Sequence, residues 1–122
     1  MIIKERNEEL ERSLIELLPW EIGKTYILKE EIIVEWNGKT LTLPIGFIFD
    51  RYTFAPNLKD SVPAAIHDCA YRRKKWDDGT PILRRDADNL LKNYMATSYD
   101  RLTRYFSYIY YIFVRLFGWT TW

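Results

Sequence analysis

Asn37-Gly38 stands between two runs of β-branched and aromatic residues, "TYILKEEIIVEW" before it and "KTLTLPIGFIFD" after it. A two-residue Asn-Gly link favours positive φ at both positions, the backbone of a tight turn whose twist matches two antiparallel strands. The dipeptide therefore commits the middle of the chain to an antiparallel pair and excludes a purely helical fold. A further short strand is expected near 45–49, so that a small β element occupies about 24–49.

The flanking segments carry helical rather than alternating periodicity. In "KERNEELERSLIELLP", Leu10, Leu14, Leu17 and Leu18 recur at helical spacing among charges and Pro19 stops the run, which predicts an amphipathic N-terminal helix within 1–19. Ser61 and Pro63 suit a helix cap and an early helical position, so a helix is expected from about 62 through His67 and Tyr71 to the basic "RRKKW", broken by "DDGTP". Two more helices are expected, over about 83–97 and 100–117, the last ending at Gly118. With 122 residues, 48% of them hydrophobic, the chain can bury one real core and is too short for two ordinary ones. The expected class is α+β: a single domain, 1–122, with a small antiparallel β-hairpin or sheet, a three-helix core, and the N-terminal helix added to it.

Several function classes are disfavoured at once. Lysine and arginine number 18 against 17 acids, so the net charge of +1 supplies no general attraction for nucleic acid. The single cysteine, Cys69, cannot form an internal disulfide, and no Cys/His cluster has zinc spacing; it reads as a small buried hydrophobe. The charged N-terminus lacks the apolar stretch of a secretory signal, so no signal peptide is expected. "YFSYIYYIFVRLFGWTTW" is apolar and aromatic, but Arg115 interrupts it and its apolar run is shorter than a membrane span. It is expected to form a core helix that other elements wrap, with an interfacial or oligomer-contact helix as the alternative.

The residues that could carry chemistry gather around the only histidine. His67 and Tyr71, at i and i+4, share a helix face, while Asp68 is turned about 100° to the side. In "RRDADNLLKNYM", Asp88 lines up with Leu91 and Met95 and so sits on the stripe that should face the core, where a carboxylate must be paired or hydrogen-bonded. If the helices carrying His67 and Asp88 pack together, Asp88 can hold one ring nitrogen of His67 and leave the other toward a cleft, as an oriented general base requires. Asp68 would then flank the cleft with a free carboxylate able to bind a divalent cation, and Asp50, at the end of "GFIFD", could join it. The same His-Asp-Tyr set is more commonly a purely structural network that fixes two helices.

The order "LPIGFIFDRYTFAP", "PAAIHDCAY", "RRDADNLLKNYM", "YIYYIFVRLFGWTTW" resembles the phage- and prophage-associated domain of unknown function 1353 family, over about residues 24–122. The N-terminal helix lies outside the resemblance, and the bulky Asp50–Pro56 loop replaces a smaller Asp-Gly-Ala-Ser-x-Pro run. The His-Asp-x-x-Tyr helix followed by an inward aspartate also resembles the catalytic core of phospholipase A₂ enzymes. That likeness implies that His67 activates water, Asp68 binds calcium, and Asp88 and Tyr71 hold the histidine. Unlike the calcium loop of those enzymes, "NLKDSVPAAI" contains no glycine.

Two functions follow from these expectations. One is a phage-encoded hydrolase acting on an ester or amide of the host envelope, with catalytic His67, Asp88 and Tyr71 and calcium, if any, at Asp68 and Asp50. The other is a non-enzymatic virion or assembly component whose partners are other phage structural proteins, met through the N-terminal helix or the aromatic C-terminus. A phage-encoded inhibitor of a host protein is a third, with no direct sign in the sequence.

Overall fold

A computed structural model of the chain describes residues 2–3, 6–17, 25–50 and 60–117. In chain order it contains α1 (Glu8–Leu14), β1 (Ile15–Leu17), β2 (Thr25–Leu28), β3 (Ile32–Trp36), β4 (Lys39–Leu43), β5 (Ile48–Asp50), α2 (Val62–Arg73), α3 (Arg84–Ala96) and α4 (Arg101–Phe117). The fold is mixed α+β, with two small antiparallel sheets among the described residues.

β3 and β4 form the hairpin around Asn37-Gly38. Both turn residues have positive φ, 49° and 79°, and Trp36 faces Lys39 directly across the link. Because side chains alternate across a strand, this register puts Ile32 opposite Leu43 and Val34 opposite Leu41 on one face. All four are fully buried. A one-residue slip would turn the whole set toward solvent, so burial and turn chemistry specify the same register.

The second sheet has the order β1-β2-β5. Its pairing sets Tyr26 opposite Phe49, whose rings stack at 5.9 Å, and Phe47 also stacks on Phe49, at 6.1 Å. Phe49 is fully buried and joins Leu14, Leu28, Leu43, Ile66 and Leu90 in the main core, where each such side chain contributes roughly 1.5–3 kcal/mol by leaving water.

The N-terminal segment departs from the expected helix. α1 ends at Leu14 and the chain runs straight into β1, so Leu17 lies in a strand, while Leu18 and Pro19 lie outside the described residues. Edge pairing with β2 decides this: Ile15, Glu16 and Leu17 pair with Leu28, Ile27 and Tyr26, which gives their backbone groups ladder partners. Local helical spacing is a weak prior that tertiary pairing overrides. Asn7, which was not anticipated as a cap, accepts from the Leu10 backbone N–H at 2.7 Å.

α2 begins where expected, with Pro63 in its first turn, but Ser61 makes no side-chain capping bond. Asp60 does so instead, its Oδ1 accepting from the Val62 N–H at 3.2 Å. At the other end Lys74 adopts a left-handed φ of 59° and stops the helix. The "WDDGTP" segment is more than a breaker. Asp77 accepts from both hydroxyls of Thr40 and Thr42 and from the Thr42 N–H, and Asp78 pairs with Lys39 at 2.9 Å, clamping the α2–α3 connection onto β4.

α3 packs against both α2 and α4. Leu91, Met95 and Tyr110 form a smaller core between α3 and α4, with Phe106 and Val114 at its margin. α4 is not wrapped by other elements as its composition suggested. Only Thr103 and Tyr110 are buried in it, and a row of its apolar side chains faces solvent. Among the described residues no helix is long and apolar enough to cross a membrane.

Candidate functional site

Asp88 is the centre of the site. It sits on the second turn of α3 with Ala87, Leu90 and Leu91 as neighbours on the buried side, and its side chain is fully buried. An ionised carboxylate there is tolerable only if every lone pair is served. Oδ1 lies 2.9 Å from His67 Nε2 and accepts the Tyr71 hydroxyl at 2.6 Å; Oδ2 accepts from Arg115 Nη1 at 3.1 Å and faces Arg84 at 3.6 Å. Burial pushes the Asp88 carboxyl upward, but the bonds from His67, Tyr71 and Arg115 outweigh it and hold the group below the usual carboxylate range.

An ionised Asp88 fixes the direction of its bonds. His67 Nε2 must carry the proton of this bond and donate it, so that in the neutral form of the ring the acceptor lone pair is on Nδ1. Tyr71 supports the ring from one turn along α2, with ring centroids 4.2 Å apart. Burial, and then the carboxylate it donates to, drive the Tyr71 hydroxyl well above the ordinary phenol value, so it remains a donor. The histidine side chain is 17% exposed, in contrast to the sealed aspartate. The arrangement can orient a neutral imidazole as a proton acceptor at Nδ1, which is the geometry of a general base.

His67, Tyr71 and Asp88 are thus brought together as their spacing suggested. Asp68 is not joined to them. Asp68 forms an ion pair with Arg72 at 2.9 Å, one turn along α2, rather than offering a free carboxylate to a cleft. Arg72 in turn donates to the Ile48 carbonyl at 2.8 Å and lies over the Phe47 ring, which ties this pair to β5. Asp50 ends β5, paired through its backbone with Thr25, and its side chain lies outside the described residues. Among the described residues no group of three or more His, Cys, Asp or Glu side chains could hold a metal ion. The Asp50 side chain, which could complete a cation site with Asp68, lies outside those residues, and no chemical step here runs through a metal.

Cys69 points away from this chemistry. It is fully buried, and burial pushes its thiol up to about 11, the behaviour of an inert core residue.

Sequence reasoning missed the two arginines on Asp88. Arg115 had registered only as a charge interrupting an apolar run, yet it reaches from α4 to α3. Arg84 donates to the carbonyls of Val114 and Arg115 at 3.0 and 3.4 Å, where the last turn of α4 offers unpaired acceptors. A signal was available: a lone cation in an otherwise apolar run must find a partner or water, and Asp88 was the carboxylate in need of one. A second buried network was missed as well. Arg6 donates to Asp60 through Nε at 3.0 Å and Nη2 at 2.7 Å, and Ser98 donates to the same carboxylate at 2.6 Å. It joins the N-terminal segment to the start of α2 and the end of α3, and has no opening comparable to the partly exposed His67.

Compared with family models, curated proteins and solved structures, the chain finds no match in any of the three.

Proposed function

We propose that this protein is a small hydrolase of a phage or prophage, acting on an ester or amide of the host envelope. One observation carries the reading: a partly exposed His67 bonded through Nε2, at 2.9 Å, to the fully buried Asp88. His67 Nδ1 takes the proton of an attacking water, Asp88 fixes the ring and its tautomer and stabilises the imidazolium that forms, and Tyr71 holds the carboxylate in place. In this reading α2, α3 and α4 form the working core, α1 with its charged outer face is an amphipathic addition, and the chain is a relative of the domain of unknown function 1353 family. The likeness to phospholipase A₂ enzymes supports the roles of His67, Asp88 and Tyr71; a cation role for Asp68 and Asp50 is left to the experiment.

A second reading has its own observation. Asp88 accepts from α2 and α4 while sitting on α3, so the network joins three helices and would serve a virion or assembly component that has no chemistry at all. The two are separated by measuring hydrolysis of envelope phospholipid esters and of peptidoglycan by wild type and His67→Ala, with and without calcium, beside their melting temperatures. Activity that vanishes in a variant of unchanged melting temperature establishes the hydrolase. No activity in the wild type, with a large drop in melting temperature for the variant, establishes the structural role.

A further inference from the structure

We infer that α4 is a docking surface for an anionic lipid bilayer. Leu102, Tyr105, Ile109, Ile112 and Leu116 are between 41% and 70% exposed, although they lie on one face of a helix whose opposite face packs on α3. At about 100° per residue, Tyr108 and Phe117, also exposed, widen this face to roughly half of the helix circumference. A monomer in water leaves so broad an apolar face open only where something else covers it.

Charge identifies the occupant. α4 contains Arg101, Arg104 and Arg115 and no acid; Arg115 is engaged with Asp88, and helical geometry sets Arg101 and Arg104 along one edge of the apolar face. Lys92 of α3 adds to that edge, its ammonium 5.7 and 4.9 Å from the ring centroids of Tyr108 and Tyr111. The nearest preceding carboxylate, Asp100, is turned inward to accept from the Thr103 N–H and hydroxyl. An apolar face rich in tyrosine, edged by cations and too short to span, is the composition of a helix that lies in the headgroup region of an anionic membrane. A second copy fits less well. A helix pair covers a narrow seam and leaves Tyr108 and Phe117 in water, and an antiparallel pair would set its arginine edges against each other. The surface does not depend on chemistry at His67.

The test is co-sedimentation of the full chain with phosphatidylglycerol and with phosphatidylcholine vesicles at low and high salt. Binding to phosphatidylglycerol that is weakened by salt is expected, reduced about fivefold by Arg101→Gln, the effect of one cation near such a surface. The double variant Ile109→Ser/Ile112→Ser is expected to lose binding to both vesicle types while keeping its melting temperature, because both side chains are exposed. Absence of vesicle binding by the wild type overturns the inference. So does binding that the double variant retains, or an equilibrium-sedimentation dimer that the double variant converts to monomer without any lipid effect.

Discussion

Arg115 Nη1 donates to Asp88 Oδ2 at 3.1 Å, so a cation on α4 meets a carboxylate of α3 that the solvent does not reach. With His67 and Tyr71 on the other oxygen, Asp88 has no position left for water. Asp88→Ala is expected to cost about 3–5 kcal/mol, the usual penalty for leaving buried partners of a carboxylate uncompensated. Arg115 is about one-third exposed, so Arg115→Ala lets water replace it and is expected to cost roughly 1–2 kcal/mol. Urea midpoints of the two variants check the ordering, and equal costs would refute the central place given to Asp88.

The depressed carboxyl of Asp88 makes stability depend on acid in a defined direction. Its folded value lies below its unfolded value, so the group contributes stability that is fully present above the unfolded value of about 3.9 and is lost as pH falls through the folded one. Asp77 is also held low and adds to the same trend: burial raises its carboxyl, but Thr42, Thr40 and Arg73 outweigh that. Asp88→Asn removes only the first contribution. Its unfolding free energy should therefore fall less steeply than that of the wild type below about pH 4, which denaturant titrations across that range would measure.

What the residues reveal by themselves follows the range of the interaction. The hairpin was legible because Asn37-Gly38 fixes its own backbone, and α2 and α3 because apolar periodicity and breakers are local. The His67–Asp88 bond was legible because a carboxylate on an apolar stripe needs a partner. β1 was not, since Ile15, Glu16 and Leu17 become a strand only through pairing with β2, from Tyr26 to Leu28. Asp77 and Asp78 read as turn residues, and their grip on Thr40, Thr42 and Lys39 arises only once the connection folds over β4. The exposed face of α4 was hidden for another reason: composition says how apolar a helix is and not how many neighbours are present to cover it.

Cys69 offers a direct probe of the core around α2. A thiol raised to about 11 by burial carries almost no thiolate at pH 8, and its fully buried position excludes reagents. The native protein should leave an aromatic disulfide reagent unreacted over times in which the urea-unfolded chain reacts completely. Labelling of the native form at the unfolded rate would mean that α2 opens freely, and would remove the basis for a rigidly oriented His67 two residues away.

Gly38 isolates how much the turn contributes to the fold. Its φ is +79°, and a Cβ added there would meet nothing within 4 Å, so Gly38→Ala introduces backbone strain and no clash. The expected cost is about 1–2 kcal/mol, the penalty of the left-handed region for an L residue. A D-alanine placed at the same position by chemical ligation has the same side chain and prefers positive φ, so it should recover most of that loss. If both alanines destabilise equally, the burial of Ile32, Val34, Leu41 and Leu43 alone holds the register and the turn merely follows. If only the L form does, the dipeptide actively specifies the hairpin on which the α2–α3 connection, and through it the pairing of His67 with Asp88, is seated.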